Sequence, residues 1–274
     1  MNKTRIIPVI LLKNGRIVQS KNFNRHQVLG TPTVIVGRLT NWFADELIFL
    51  DISRQKNYDL NRDDLNFKNS NNIISILKDI SKKCFMPLNI GGGIKNIKDI
   101  ENRLFAGADK VTINSQALLN KGFIKEAVKE FGSQCIVASL DSKKISKNKW
   151  TTFINCGTEE FGDTIRNVKT LEDLGIGELL INSIDKDGKA QGMDNELNML
   201  VVNSVKIPVV CMGGVGKWSD FAECIDVCNP SGVAAANIFQ YSENSVYKAH
   251  KYLFENNYNV RKFNIETIIK TGDE

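Results

Sequence analysis

The chain has 274 residues, of which 42% are hydrophobic and 24% are charged, a composition that fits a globular core and excludes intrinsic disorder. Its net charge of +5 comes from scattered Lys and Arg, so nucleic-acid binding is disfavoured, and a small anionic substrate fits the excess equally well. Pro8 interrupts the first apolar run and no small-residue cleavage site follows, which favours a strand over a signal peptide. No apolar run approaches the ~18 residues of a membrane helix, so we expect a cytoplasmic protein without membrane contact.

The six cysteines are typical of free thiols in a reducing compartment rather than of a disulfide framework. Cys224 and Cys228 lie four residues apart, a spacing that suits either two metal ligands or one face of a helix. The chain has only two histidines and no second cysteine pair, which favours the helix face. We therefore predict neither a metal site nor a cofactor.

Short runs rich in Ile, Val and Leu alternate with stretches of helical spacing along the chain. The predicted strands cover residues 5–12, 46–52, 86–90, 110–114, 135–141, 178–183, 207–212 and 231–236. The predicted helices cover residues 31–43, 70–82, 96–106, 119–130, 161–174, 194–204, 217–227 and 244–256. This alternation predicts an α/β protein that forms one (β/α)8 TIM barrel over residues 1–274, with an extension after about residue 261.

Two segments depart from this alternation. The polar loop at residues 53–66 is long for a βα connection, as lids and binding segments often are. Residues 142–153 are predicted to form a hairpin inserted after the fifth strand.

A repeat at half-barrel spacing relates two glycine-rich turns, because GGGIKNIKD from Gly91 is similar to GGVGKWSD from Gly213, 122 residues later. Glycines after a strand let backbone N–H groups approach a phosphate, although a tight βα turn needs glycine in any case. Two such turns at equivalent places favour two phosphate sites and a ligand with a phosphate at each end. The predicted phosphate-binding residues are Gly91, Gly92, Gly93, Asn114, Ser115, Gly188, Gly213, Gly214, Ala236 and Asn237.

Carboxylates follow two of the predicted strands. Asp141 ends the fifth strand, and Asp187 lies in SIDKDG after the sixth. At a barrel mouth each is a candidate acid or base, while D-x-D-G is also ordinary turn chemistry, which is how we interpret Asp185. His26 and His250 fall in a predicted loop and helix, and we expect both to be exposed.

Counting with period two places four charges on the predicted inward faces of strands, at their N-terminal ends. They are Arg5, Glu46, Lys110 and Glu178. Two positive and two negative charges sum to zero, the economical way to bury such a set, and they suggest a plug or gate. The alternative is a set of solvated charges at the lower rim.

The sequence resembles HisF, the cyclase subunit of imidazole glycerol phosphate synthase, over nearly its whole length. The matching motifs are KNGRIV, ADELIFLDI, GGGI, GADKVTINS, FGSQCIV and GIGELLINSIDKDG. That family implies a (β/α)8 barrel that binds a bisphosphate substrate and receives ammonia from a HisH-like glutaminase docked on its bottom face. The resemblance matches Arg5, Glu46, Lys110 and Glu178 to the family's ammonia gate.

Further positions of the resemblance concern the partner and the catalytic mouth. Gln134 falls where the family meets its glutaminase, and Asp141 and Asp187 match functional aspartates. Leu11 stands where the family has its first catalytic aspartate, and Met212 and Phe161 also depart from the family pattern.

Three hypotheses follow from the combination of intact ammonia-side residues and an altered mouth. The first is an ammonia-conducting barrel that serves an ATP-dependent amidotransferase in acetamidino sugar formation for surface polysaccharides, a combination that resembles known HisF-like proteins. The second is a cyclase of histidine biosynthesis. The third is a noncatalytic scaffold that activates the glutaminase.

Overall fold

The computed structural model describes residues 3–21, 25–53, 58 and 72–262. In chain order the strands are β1 (Arg5–Lys13), β2 (Arg16–Lys21), β3 (Arg25–Gly30), β4 (Leu47–Asp51), β5 (Leu88–Gly91), β6 (Lys110–Ile113), β7 (Ile136–Ser146), β8 (Lys149–Ile154), β9 (Glu159–Asp163), β10 (Glu178–Ser183), β11 (Val209–Met212) and β12 (Gly232–Ala235). The helices are α1 (Pro32–Asn41), α2 (Ile73–Ile80), α3 (Ile97–Phe105), α4 (Ser115–Leu119), α5 (Lys121–Phe131), α6 (Thr164–Asp173), α7 (Asn195–Val202), α8 (Trp218–Cys228) and α9 (Ser245–Glu255). Short 3-10 helices lie at Ser133–Cys135 and Asn237–Gln240.

Eight of these strands form a closed parallel barrel in the order β1, β4, β5, β6, β7, β10, β11, β12. The pairing of β12 with β1 closes the ring, and every neighbouring pair in it is parallel. Helices separate successive barrel strands, so the predicted (β/α)8 barrel is confirmed, and each predicted strand and helix has its counterpart.

Two antiparallel hairpins extend from the barrel. β7 continues past the barrel to pair with β8, which confirms the hairpin predicted at residues 142–153, and β8 pairs with β9. β2 and β3 extend β1 in the same way and were not predicted. The turn between β1 and β2 is formed by Asn14 and Gly15 at φ of 49° and 76°, a type of turn that Asn-Gly favours between antiparallel strands.

Phe161 lies on β9, so the prediction of a helix from residue 161 was wrong at its start. The helix α6 begins later because the Asp163 side chain caps it, accepting a hydrogen bond from the backbone N–H of Arg166 at 2.8 Å. The loop predicted as a binding segment at residues 53–66 lies outside the described residues except for Ser53 and Tyr58. The predicted C-terminal extension lies outside them after residue 262.

The core has two shells because successive strand residues point to opposite faces of the sheet. The outer shell packs the sheet against the helices and includes Phe49, Phe221 and Phe239. The inner shell fills the lumen of the barrel with Ile7, Val9, Ile48, Val137, Leu180, Val210, Met212 and Ala234. The lumen is therefore packed rather than open, as in other barrels of this size.

The predicted exposure of both histidines was wrong for His250, which is 2% exposed on α9. Its ring lies 3.3 Å from the Asp45 carboxylate, and burial lowers the pKa of the imidazole to about 3. His26 is half-buried on β3, with Nδ1 3.1 Å from Lys13 Nζ.

The cysteines are all free thiols, and Cys224 and Cys228 share one buried face of α8, as predicted. Among the described residues no group of three or more His, Cys, Asp or Glu side chains is arranged to hold a metal ion. Within the same part of the chain, no helix is long and apolar enough to cross a membrane.

Candidate functional site at the two ends of the barrel

The four charges predicted at the N-terminal ends of the strands meet in a closed ring. Arg5 contacts both Glu46 and Glu178, and Lys110 Nζ lies 3.1 Å from Glu46 Oε2 and 2.8 Å from Glu178 Oε2. Each cation thus bridges both anions, and the signs alternate around the ring. The carboxylates are buried, with side-chain exposures of 2% and 7%, whereas the two cations are about a quarter exposed. The alternative of separate solvated charges does not describe this arrangement.

The ring is held by mutual electrostatic compensation. Burial alone would raise the pKa of Glu178, but the charges and hydrogen bonds of Arg5 and Lys110 outweigh burial and lower it. Burial alone would likewise lower the pKa of Arg5, and the two carboxylates raise it instead. The shifts of Arg5 and Glu178 both favour the charged forms, as expected for oppositely charged neighbours in contact.

Polar side chains continue from the ring into the lumen along one wall. Asn89 Nδ2 lies 3.5 Å from Glu46 Oε1, and the Thr112 hydroxyl donates to Asn89 Oδ1 at 2.6 Å. Asn89 and Thr112 are 1% and 3% exposed. The adjoining wall, on β1 and β4, contributes the apolar side chains Ile7, Val9 and Ile48 to the lumen.

Asp141 lies at the C-terminal end of the lumen between two asparagines. Asn114 Nδ2 donates to Asp141 Oδ2 at 2.9 Å, and Asn182 Nδ2 donates to Asp141 Oδ1 at 3.0 Å. Burial raises the pKa of Asp141, and the two amide hydrogen bonds oppose that rise only in part. A carboxyl group whose pKa is raised is suited to proton transfer, the role predicted for Asp141.

The other side of this mouth is apolar. Leu11 pairs in register with Leu50 on β4, and both pack against the lumen cluster that contains Met212. The side chain at position 11 can neither donate nor accept a proton. The mouth therefore has a polar half at Asp141 and an apolar half at Leu11.

A pocket opens beside the second glycine-rich turn. It is lined by Asp187, Gly188, Ala190, Met212, Gly213, Gly214, Val215, Ala235, Ala236, Asn237 and Tyr241. Five of the predicted phosphate-binding residues thus lie together with Asp187. Gly214 has φ of 92°, and a Cβ there would lie 2.2 Å from the Gly192 carbonyl oxygen, so this turn requires glycine for its backbone alone.

The β2–β3 hairpin is attached to this pocket by two hydrogen bonds. Asn237 Nδ2 donates to the Ser20 carbonyl at 2.8 Å, and Gln19 Nε2 donates to the Tyr241 hydroxyl at 2.8 Å. Gly188 also approaches the hairpin, since a Cβ there would lie 2.7 Å from the Ser20 carbonyl oxygen. Phosphate binding by Asn237 and Gly188, as predicted from the sequence, therefore has to leave their contacts with Ser20 in place.

The first glycine-rich turn is backed by a buried arginine. Arg103 donates to the Gly92 carbonyl at 2.6 Å, is 5% exposed, and has its pKa lowered by burial. Gly91 ends β5, and Gly92 and Gly93 follow with φ of 100° and 63°. Nearby, Ser115 Oγ accepts a hydrogen bond from the backbone N–H of Asn155 at 3.0 Å. The turn between β8 and β9 therefore reaches the predicted phosphate site at the first glycine-rich turn.

Asp185 lies in the turn after β10, as expected, and its carboxylate also accepts the backbone N–H of Lys144 on β7 at 2.8 Å. Sequence reasoning missed Asn89, Asn182, Arg103 and Tyr241. Asn89 lies two residues before Gly91 on β5, and Asn182 lies four residues after Glu178 on β10. Both are inward positions by the period-two count, which could therefore have found them. Arg103 and Tyr241 left no comparable signal, since they come from a helix and a loop.

The N-terminal end of the barrel also exposes large apolar side chains. Phe85 precedes β5 and is 88% exposed, and Phe105 at the end of α3 is 82% exposed. Gln134, predicted to lie at a partner surface, is exposed in the turn before β7, with its amide 3.3 Å from the Phe131 carbonyl.

Comparison with known proteins agrees with this architecture. The histidine biosynthesis protein family matches residues 5–245. The imidazole glycerol phosphate synthase subunit HisF of Clostridium botulinum (strain Okra / Type B1) is 38% identical over 259 residues, 94% of this chain and 98% of its own length. The subunits of the same name from Hydrogenobaculum sp. (strain Y04AAS1) and Bacillus cereus (strain ATCC 10987 / NRS 248) are 38% and 37% identical over 258 residues, with the same coverage. This chain therefore belongs to the histidine biosynthesis protein family, within its HisF branch.

Proposed function

We propose that this barrel receives ammonia from a HisH-like glutaminase at its N-terminal face and conducts it through the charged ring toward the mouth. The observation that carries the proposal is the closed ring of Arg5, Glu46, Lys110 and Glu178 across the entrance of the lumen. Two buried carboxylates with partly buried cations contribute little net stability compared with apolar residues of the same volume. A gate gives them a function, because a small neutral molecule that both donates and accepts hydrogen bonds can replace one ion-pair contact at a time.

The proposed glutaminase surface surrounds this ring. Phe85 and Phe105 are large, exposed and located on the loop and helix end that flank β5 and β6 at the N-terminal face. Exposed phenylalanines of this kind are typical of protein interfaces. Gln134 precedes β7 on the same face and supplies a polar contact beside them.

For the acceptor of the ammonia, we propose an acetamido sugar that becomes an acetamidino sugar through an ATP-dependent amidotransferase, in surface polysaccharide biosynthesis. Leu11 supports this proposal, because it replaces a proton-transfer group with an apolar side chain while the ring is kept. A phosphorylated small molecule would occupy the pocket at Gly213 and Gly214, where glycine backbone lets N–H groups approach an anion closely.

The second candidate is the cyclase reaction of imidazole glycerol phosphate synthase in histidine biosynthesis. It is favoured by the raised pKa of Asp141, by Asp187 in the phosphate pocket, and by the names of the relatives. In that case Asp141 and Asp187 act as the acid and base. A noncatalytic scaffold that only activates the glutaminase is the remaining alternative.

The partner is tested by co-purification with a HisH-type glutaminase encoded in the same genome. We expect a one-to-one complex with the native chain and with an Ile145→Asp variant, whose substituted side chain is 51% exposed on the β7–β8 hairpin at the opposite end. A Phe85→Asp, Phe105→Asp double variant should lose the complex. Failure of the native chain to bind, or binding by the double variant that equals the native chain, contradicts the proposed surface.

The acceptor is tested by ring closure with excess ammonium in place of the glutaminase. General acid or base catalysis accounts for roughly 10²- to 10⁴-fold in rate, so the loss of one group at Leu11 should leave turnover far below that of a HisF relative measured in parallel. Turnover within about tenfold of the relative would contradict the acetamidino sugar proposal and support the cyclase.

A further inference from the structure

The orientation of the Asn182 side chain is determined by Asp141. Asn182 Nδ2 donates to Asp141 Oδ1 at 3.0 Å, and a carboxylate only accepts hydrogen bonds. The amide nitrogen must therefore face Asp141, and the amide oxygen, Oδ1, must point the other way.

The Asn182 oxygen accepts no hydrogen bond from the described residues, although the side chain is 3% exposed. It is directed at the glycine-rich turn that lines the pocket, since a Cβ at Gly213 would lie 2.8 Å from it. A buried acceptor without a donor is destabilising, and such groups in folded proteins commonly mark a binding or catalytic role.

Asn182 also stands directly above the charged ring. Glu178, Leu180 and Asn182 share the inward face of β10, and four residues of strand at ~3.3 Å each place Asn182 roughly 13 Å above Glu178. A molecule that passes the ring and moves up this wall reaches the Asn182 oxygen before it reaches the pocket at Gly213.

We propose that Asn182 Oδ1 holds ammonia at the upper end of the lumen, as a positioning residue; this rests on the proposed conduction of ammonia. Ammonia donates one N–H to the oxygen and keeps its lone pair unshared, so it reaches the mouth in its neutral, nucleophilic form. An amide oxygen suits this role because it cannot protonate ammonia, which would remove the nucleophilic lone pair. The same side chain holds Asp141 through Nδ2, so the proton acceptor and the nucleophile are positioned by one group.

The test follows the side-chain amide signals of the purified chain by nuclear magnetic resonance during titration with ammonium chloride at alkaline pH, where free ammonia is present. The Asn182 signal is identified by its loss in an Asn182→Thr or Asn182→Leu variant, whichever folds. We expect a saturable shift of this signal that potassium chloride does not cause and that diminishes as the pH is lowered. Asn114 is the internal control, because it also donates to Asp141 while its Oδ1 lies 3.4 Å from the Ser115 hydroxyl.

No shift of the Asn182 signal, an equal shift with potassium chloride, or a parallel shift of Asn114 overturns the inference. A crystal structure grown with and without ammonium gives a second measurement: density at Oδ1 that requires ammonium supports the site, and density under both conditions identifies water and overturns it. Neither measurement involves the glutaminase. Loss of the glutaminase complex with a retained Asn182 shift would therefore contradict the proposed function without contradicting this site.

Discussion

Replacement of Lys110 by methionine tests whether the cations of the charged ring stabilise its buried carboxylates. Methionine keeps most of the length of the lysine stem and removes the charge that lies 2.8 Å and 3.1 Å from two buried carboxylates. Removing one partner of a buried ion pair costs about 3 to 5 kcal/mol. Because Arg5 still contacts both carboxylates and Lys110 is 23% exposed, we expect the Lys110→Met variant to lose about 2 to 3 kcal/mol of unfolding free energy at neutral pH.

The pH dependence of this loss has a defined sign. The pKa of Glu178 is lower in the folded chain than its ordinary value, so its stabilisation is present above the unfolded pKa and disappears as the pH falls through the folded pKa. Without Lys110 the pKa of Glu178 is lowered less, and the variant has less of this stabilisation to lose. The difference between the native and variant chains should therefore shrink as the pH falls below the ordinary pKa of glutamate.

Urea unfolding followed by circular dichroism at neutral and acid pH measures both effects. Lys98→Met is the matched control, because Lys98 is 70% exposed and its 2.6 Å contact with Glu101 is an ordinary surface ion pair. Such a pair contributes about 0.5 kcal/mol or less. The reasoning is refuted if Lys110→Met loses no more stability than Lys98→Met, or if its loss is the same at both pH values.

Three further predictions concern other parts of the barrel. Gly214→Ala should abolish binding of inorganic phosphate in a calorimetric titration and should lower the melting temperature. By contrast, a new Cβ at Gly37 in α1 would have nothing within 4 Å, so Gly37→Ala should stabilise the fold by about 0.5 to 1 kcal/mol in thermal unfolding. Asp194→Ala should cost about 2 to 3 kcal/mol in urea unfolding and change Trp150 fluorescence, because the Asp194 carboxylate accepts the buried Trp150 N–H at 3.1 Å; unchanged stability would contradict this. Leu11→Asp should produce detectable ring closure with ammonium, still well below a HisF relative, and an activity equal to the relative would show that the rest of the mouth is already that of a cyclase.

The sequence predicted the barrel because the strand and helix periods are strong and regular along it. β10, for example, has the predicted bounds of residues 178–183, since its apolar run is sharply ended on both sides. Strands β2 and β3 escaped prediction although Asn14 and Gly15 mark the turn between β1 and β2, because the alternating residues that follow were assigned to a connection. His250 was misjudged because burial of a helical polar residue depends on the tertiary neighbour, here Asp45, and not on local pattern.

The candidate site, like the fold, was predicted from the sequence only in part. Period-two counting placed the four ring charges on inward faces, since such a count needs only the strand and its direction. It could not show that Arg5 and Lys110 each bridge both carboxylates, because that depends on the separation of side chains across the barrel. The asymmetry of the mouth, with Asp141 between two asparagines and Leu11 beside Leu50, likewise depends on strand register.

The two hairpins determine how an elongated ligand lies across the barrel. They extend from β1 and β7, which are the first and fifth strands of the eight-membered ring and therefore stand on opposite sides of it. The two glycine-rich turns follow β5 and β11, the third and seventh strands, which are also opposite each other. The line that joins the turns thus crosses the line that joins the hairpins at about a right angle. Among the described residues the hairpins thus stand on either side of the line between the turns, and a molecule whose two anionic ends reach both turns would lie along that line.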